Sequence, residues 1–134
     1  MKRGGSVTGI VIITHGQIGK SLIEVAEFIL GESLQEIRFL PFRQSEMQET
    51  GDEELQRAVA GADKGQGVLV LTDMGGASPC NRVAQILKAG EVAMVSGLNL
   101  AMLIRVWNYR QKPLAQLVDI ATEGAIRDIK GYRK

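Results

Sequence analysis

His15 is the side chain in this sequence whose type and place could do chemistry at neutral pH. It is the only histidine among 134 residues, and it directly follows the apolar run 9–14 and precedes a helical pattern. An imidazole, with an ordinary pKa of about 6.5, can act as a nucleophile, a proton carrier or a metal ligand. One histidine and one cysteine are too few for a conventional zinc site, which needs three or four ligands. We therefore expect a site without metal or other cofactor, although a lone histidine is most often an ordinary surface or core residue.

Asp73 is the second candidate, because it directly follows another apolar run, residues 68–72. If the two runs are neighbouring parallel strands, Asp73 faces His15 although 58 positions separate them. A carboxylate that accepts from one ring nitrogen fixes the tautomer, leaves the other nitrogen nucleophilic and stabilises the positive charge that develops during attack. His15 and Asp73 are therefore the predicted catalytic pair of a phosphoryl transfer. Taken alone, Asp73 is equally well explained as a loop acid that caps the end of a strand.

Backbone N–H groups near these two residues could hold the oxygens of a phosphoryl group. Ser78 followed by proline has the form of a helix N-cap and first helical residue, so the preceding loop faces free N–H groups. The dipoles of this helix and of the helix after His15 favour a bound anion. The predicted phosphate-binding residues are Gly16, Gly76, Ala77 and Ser78. A glycine pair such as 75–76 is, however, more commonly an ordinary flexible turn.

A competing motif overlaps the first candidate. Residues 14–21 end like a phosphate-binding P-loop, G-x-x-x-x-G-K-[ST], with Lys20 and Ser21 in the last two places. Thr14 stands where the first glycine is required, and the chain shows no element for recognising a nucleotide base. A P-loop-like nucleotide-binding protein therefore stays a lesser alternative.

Four strand-like runs separated by helical patterns must position these residues. The runs cover residues 9–14, 36–40, 67–72 and 91–96. The predicted helices cover residues 18–30 and 45–62, a segment starting at 78, and residues 100–107 and 114–122. Such alternation predicts an α/β fold with a doubly wound, mainly parallel sheet of order 2-1-3-4 flanked by helices. In this order the loops after the first and third strands lie side by side, so His15 and Asp73 would meet in one crevice.

Length and composition indicate one domain covering residues 1–134, with residues 1–6 as a loose end. The net charge of +1 gives no overall bias toward nucleic acid or an anionic membrane. No apolar stretch approaches the roughly 20 residues of a membrane span, and the N-terminus lacks the apolar core of a signal peptide. A single cysteine cannot form an internal disulfide. We therefore expect a cytoplasmic protein that neither binds nucleic acid nor inserts into a membrane.

Three segments in a fixed order resemble one family, the EIIA component of the mannose-type (mannose/fructose/sorbose) sugar phosphotransferase system. They read GIVIITHG at 9–16, LTDM at 71–74 with SPCN at 78–81, and VSGLNLAML at 95–103. The resemblance covers nearly the whole chain. Two positions depart from the family pattern: Gly75, where D-x-[FYW]-G is common, and Ala101, where proline is common. Neither departure removes a reacting group, but Gly75 would leave the pocket wall more open.

The resemblance implies a phosphocarrier with a phosphohistidine intermediate. His15 would accept a phosphoryl group from phospho-HPr and pass it to an EIIB partner or another downstream acceptor. Asp73 would bond the ring, and the Ser78 hydroxyl would line the phosphate pocket. The family also implies a homodimer in which a C-terminal antiparallel strand, here residues 125–129, pairs with the partner subunit. A regulatory binding module, whose partner binding depends on the phosphorylation state of His15, stays open as an alternative.

Overall fold

The computed structural model describes residues 7–42, 49–75 and 78–134, and within these ranges strands and helices alternate along the chain. The elements are β1 (Gly9–His15), α1 (Ile18–Leu30), β2 (Arg38–Phe42), α2 (Glu49–Ala62), β3 (Val68–Thr72), α3 (Ser78–Ala84), β4 (Val92–Val95), α4 (Leu100–Asn108) and α5 (Leu114–Arg127). The strands form one parallel sheet of order β2-β1-β3-β4. The predicted α/β class and strand order are therefore confirmed. The predicted loose end at residues 1–6 lies outside the described residues.

β1 and β3 form the centre of the sheet because their side chains are apolar on both faces. All of β3 and the first six residues of β1 are buried. Ile12 and Leu71 belong to the core layer shared with α1, α4 and α5, whereas Val11 and Val70 belong to the layer shared with α2 and α3. This is the burial expected for a parallel sheet covered by helices on both faces. The chain reverses its direction of winding between β1 and β3, so a crevice lies at their carboxyl ends.

α1 contacts the sheet through a glycine. Gly19 is buried, and a Cβ at this position would lie 2.7 Å from Cγ2 of Ile12 and 2.7 Å from Cε1 of Phe39. The helix ends at Gly31, whose left-handed φ of 70° allows its N–H to bond the carbonyl of Glu27. The start of α1 is thereby held against β1 and β2, next to the carboxyl end of β1.

Two predicted strands differ from the structure by more than one residue at an end. β2 spans Arg38–Phe42 instead of 36–40, because the N–H of Ile37 still bonds the Leu34 carbonyl in the preceding turn. The predicted C-terminal antiparallel strand at residues 125–129 is wrong. Instead α5 spans Leu114–Arg127, and residues 128–134 form no strand. Ala121 and Ala125, one helical turn apart, are buried in the core, so the helical burial pattern continues through the region predicted as a strand.

The longest helices in the described ranges, α2 and α5, have 14 residues each. No helix in the part of the chain that the structure describes is long and apolar enough to cross a membrane.

Candidate functional site

The carboxyl ends of β1 and β3 bring His15 and Asp73 together. The two strands pair in parallel with Ile13 opposite Thr72, so the residues that follow leave the sheet at the same edge. Nδ1 of His15 lies 2.9 Å from Oδ2 of Asp73, and the backbone N–H of His15 donates to the same oxygen at 3.1 Å. Two residues 58 positions apart thus form one hydrogen-bonded unit, as the predicted strand order requires.

Asp73 is the more buried partner of the pair. Its side chain is 14% exposed, against 44% for His15. Burial acts to raise the pKa of the Asp73 carboxyl, but hydrogen bonds from the ring and backbone of His15, with charge attraction to the ring, outweigh it and the pKa is lowered. The carboxylate is therefore ionised at neutral pH. When Nδ1–H donates to a carboxylate, the lone pair of the ring lies on Nε2, so the half-exposed imidazole presents a nucleophile.

Phe42 forms a second wall of the site, one that sequence reasoning misses. It pairs with His15 in the parallel register of β1 and β2. Its ring meets the imidazole edge to face, with ring centroids 6.0 Å apart and planes at 77°. The guanidinium carbon of Arg82, on α3, lies 5.6 Å from the centre of the same phenyl ring. Sequence reasoning misses Phe42 because the predicted second strand ends at residue 40, which leaves Phe42 outside the sheet.

The connection between β1 and α1 contains only Gly16 and Gln17. Gly16 has a φ of 50°, in the left-handed region that favours glycine. Its N–H donates to the carbonyl of Phe42 at 3.2 Å. The Gly16 N–H group, predicted to face a phosphoryl oxygen, is thus already hydrogen-bonded to β2 in this structure.

Thr14 and Gly19 explain why residues 14–21 do not form a P-loop. The buried Thr14 hydroxyl accepts from the backbone N–H of Gly19 at 2.9 Å, and both Gly19 and Lys20 lie inside α1. A P-loop needs a glycine-rich turn whose N–H groups surround the phosphates. The two-residue connection leaves no such turn, and the nucleotide-binding alternative is not favoured.

The loop after β3 is described as far as Gly75. The predicted phosphate-binding residues Gly76 and Ala77 lie outside the described residues, and so does the side chain of Ser78, whose backbone begins α3. Gly75 does not have a left-handed φ, but a Cβ there would lie 2.9 Å from the hydroxyl oxygen of Ser96. The neighbouring hydroxyl, more than the backbone conformation, therefore limits the side chain that position 75 can carry.

The chemistry of the site follows from these contacts. Nδ1 is held by a carboxylate whose other oxygen, Oδ1, is buried and has no hydrogen-bond partner among the described residues. In the same described ranges, no three His, Cys, Asp or Glu side chains are close enough together to hold a metal ion. The arrangement can accept an electrophilic group on Nε2 and stabilise the positive charge that the ring then carries.

Comparison with known proteins gives one family match and similar curated relatives. Residues 9–120 match the EIIA-man family model, described as the PTS system fructose IIA component. The mannose-specific EIIAB component of the PTS system from Escherichia coli K12 is 32% identical over 127 residues. That alignment covers 92% of this chain and 39% of the relative. The chain thus spans about two fifths of the length of the curated relative it matches.

Solved structures of similar shape agree with the sequence match. The mannose/sorbose-specific IIA subunit from Enterococcus faecalis superposes with a TM-score of 0.84 at 19% identity, covering 96% of both chains. The PTS IIA protein associated with the fucose utilization operon of Streptococcus pneumoniae gives a TM-score of 0.79 at 25% identity, covering 93% of this chain and 94% of that one. The first likeness shows the shared fold, and the second adds a similar sequence.

Proposed function

Because the chain belongs to the mannose-type EIIA family of the sugar phosphotransferase system, we propose that it is a phosphocarrier that accepts a phosphoryl group on His15. The donor is the phosphohistidine of HPr, and the acceptor is an EIIB component or another downstream protein of the cytoplasm. The observation that carries the proposal is the 2.9 Å contact between Nδ1 of His15 and Oδ2 of Asp73. Family membership does not favour the nucleotide-binding or the regulatory alternative.

The proposed transfer is a displacement at phosphorus. The lone pair on Nε2 of His15 forms a P–N bond as the P–N bond to the donor histidine breaks, and the donor ring recovers its lone pair. The His15 ring becomes positively charged, while its Nδ1 proton stays in the hydrogen bond to Asp73. The ionised carboxylate stabilises that charge, and its second bond, from the backbone N–H of His15, keeps it in place. The same step, with this protein as donor, passes the phosphoryl group on.

Incubation with phosphoenolpyruvate, EI and HPr tests this proposal. The wild type should take up an acid-labile phosphoryl group whose NMR signals place it on Nε2, and His15→Ala should take up none. Lys20→Ala is the matched control, because Lys20 is exposed nearby on α1 and would be essential only in a P-loop. A wild type that takes up no phosphoryl group from a cognate phospho-HPr would refute the carrier function. Labelling of His15→Ala at the wild-type rate would also refute it.

We also propose that the chain works as a homodimer. β4 is an edge strand, and a groove of about 250 Å³ joins Ser96, just past its end, to Ile126 and Ile129. These two isoleucines are 66% and 73% exposed. Exposed apolar side chains beside an edge strand are typical of an interface.

Light scattering at micromolar concentration tests the dimer. The wild type should have twice the mass of one chain, and Ile129→Asp should reduce it to a monomer. Phe28→Asp is the control, because Phe28 is 87% exposed on α1 and lies outside the proposed interface. A monomeric wild type would exclude the dimer without bearing on phosphoryl transfer.

A further inference from the structure

A groove of about 470 Å³ runs along α4 and the end of α5 and shares no residue with the His15–Asp73 pair. We propose that this groove, the α4–α5 groove, binds a small organic phosphate. Its volume falls in the range of about 300–1,000 Å³ that is typical of small-molecule sites. The inference does not depend on the phosphocarrier function, because it rests on a different part of the fold.

Arg105 lines the α4–α5 groove as a cation that pairs with no carboxylate of the described residues. The residue is half-buried, and its Nε atom is buried without a hydrogen-bond partner in the same ranges. Its guanidinium is held over the ring of Tyr109, with 5.2 Å from the guanidinium carbon to the ring centre. Within the described ranges it forms no ion pair. A partly buried charge of this kind is costly unless an anion pairs with it.

Gly124 shows that the fold makes room for this arginine. It is a buried glycine inside α5, where glycine is the least favourable residue apart from proline. A Cβ at Gly124 would overlap Cδ of Arg105 and come within 2.7 Å of its Nε. The glycine therefore allows the arginine side chain to cross α5 at close range, and a larger residue would displace the guanidinium from its place.

The remaining groups around Arg105 select an anion. Arg127 and Lys130 also line the α4–α5 groove, against one carboxylate, Asp128. Residues 100–134 carry seven Lys and Arg against three Asp and Glu. This part of the chain therefore has a net positive charge, as the lining of the groove does. A guanidinium offers a planar pair of donors that fits two oxygens of a phosphate.

The apolar part of the α4–α5 groove favours an organic phosphate over the bare ion. Ile104 and the 40% exposed Tyr109 form a wall beside the cations, and an aromatic face packs well against the ring of a sugar or base. Inorganic phosphate would fill only a fraction of 470 Å³. We therefore expect a phosphate monoester of roughly sugar-phosphate size to bind more tightly than inorganic phosphate.

A ¹H–¹⁵N NMR titration with glucose 6-phosphate, inorganic phosphate and glucose tests the site. Glucose 6-phosphate should give saturable shifts at residues 104–109 and 124–130, inorganic phosphate should bind there more weakly, and glucose should give none. Arg105→Gln and Gly124→Ala should each weaken binding by about tenfold or more, because they remove or displace the ion-pairing donor. Arg105→Lys should recover only part of the affinity, because it restores the charge without the planar donors.

Two control variants show whether binding depends on the α4–α5 groove itself. Lys112→Gln removes one exposed charge from the same basic region and should leave the affinity unchanged, and His15→Ala should also bind as the wild type does. Shifts confined to His15 and its neighbours, or an absence of saturation at tens of millimolar ligand, would overturn the proposal. Groove shifts that follow protein concentration instead of ligand concentration would overturn it too, because they would make a second copy of the chain the occupant.

Discussion

Asp73→Asn is the most direct test of how the site works, because it keeps the shape of the side chain and removes only its charge. The amide oxygen can still accept from Nδ1 and from the backbone N–H of His15, the two bonds seen at 2.9 and 3.1 Å. What is lost is the charge that stabilises the positive ring during transfer. A hydrogen bond to a charged group contributes about 1.5–3 kcal/mol.

The magnitude follows from the exposure of the pair. The His15 side chain is 44% exposed, so solvent screens part of the attraction and the lower end, about 1.5–2 kcal/mol, applies. That corresponds to a rate about 10–30 times slower. Rapid-quench measurement of transfer from labelled phospho-HPr gives this rate directly, and thermal unfolding confirms that the variant is folded.

Asp63→Asn is the matched control. The Asp63 carboxylate accepts from the N–H groups of Gly65 and Gly67 at 2.8 and 3.2 Å. Asp63 precedes β3 and so lies near the amino ends of the strands, whereas the site lies at their carboxyl ends. The rate of phosphoryl transfer by Asp63→Asn should equal that of the wild type. If Asp73→Asn transfers at the wild-type rate in both directions, the charge of Asp73 has no part in the reaction and the proposed role of the pair is wrong.

Four further outcomes are expected. Phe42→Leu removes the edge-to-face contact at 6.0 Å and should slow transfer about two- to tenfold without changing HPr affinity; an equal loss of affinity would make Phe42 a docking residue instead. Gly19→Ala should lower the free energy of unfolding by about 1–3 kcal/mol in urea titration, because the added Cβ would lie 2.7 Å from two side chains of the sheet; an unchanged midpoint would show that α1 can move outward. Because the pKa of Asp73 is lowered in the folded state, its contribution to stability is complete above about pH 4 and is lost as pH falls through the lowered value. The gap in unfolding free energy between wild type and Asp73→Asn should therefore shrink in urea titrations as the pH falls below about 4, and a gap that widens there would contradict the sign. Gly75→Ala should lower the melting temperature, since its Cβ would lie 2.9 Å from the Ser96 hydroxyl oxygen, and adding Ser96→Ala should restore it; no recovery in the double variant would place the conflict elsewhere.

The parts of the fold that the sequence predicts well are those that a continuous apolar run defines. β1 and β3 are buried on both faces, so their limits agree with the predicted runs to within one residue and their ends locate His15 and Asp73. β2 was harder to delimit because Pro41 interrupts it. Proline is tolerated there because β2 is an edge strand with one neighbour. The error left Phe42 out of the predicted site.

Contacts between distant helices could not be predicted in the same way. Nothing in the neighbourhood of Arg105 indicates that Gly124 will lie beneath it, because their approach depends on how α4 and α5 pack. The C-terminal strand at 125–129 was expected from family resemblance, and the preceding helix was expected to end at residue 122. In the structure α5 continues to Arg127 because Ala125, one turn after Ala121, is also buried in the core.

His15 and Asp73 are 58 positions apart, and the residues between them include all of α1, β2 and α2. A chain that is still emerging from the ribosome, or one that has been cleaved so that β3 is not docked beside β1, therefore carries His15 without the Asp73 carboxylate. Under the proposed function, such a copy should accept phosphoryl groups slowly, so unfinished or damaged molecules should draw little from the donor. The distance in sequence between the two partners would then make phosphorylation itself a check on the integrity of the chain.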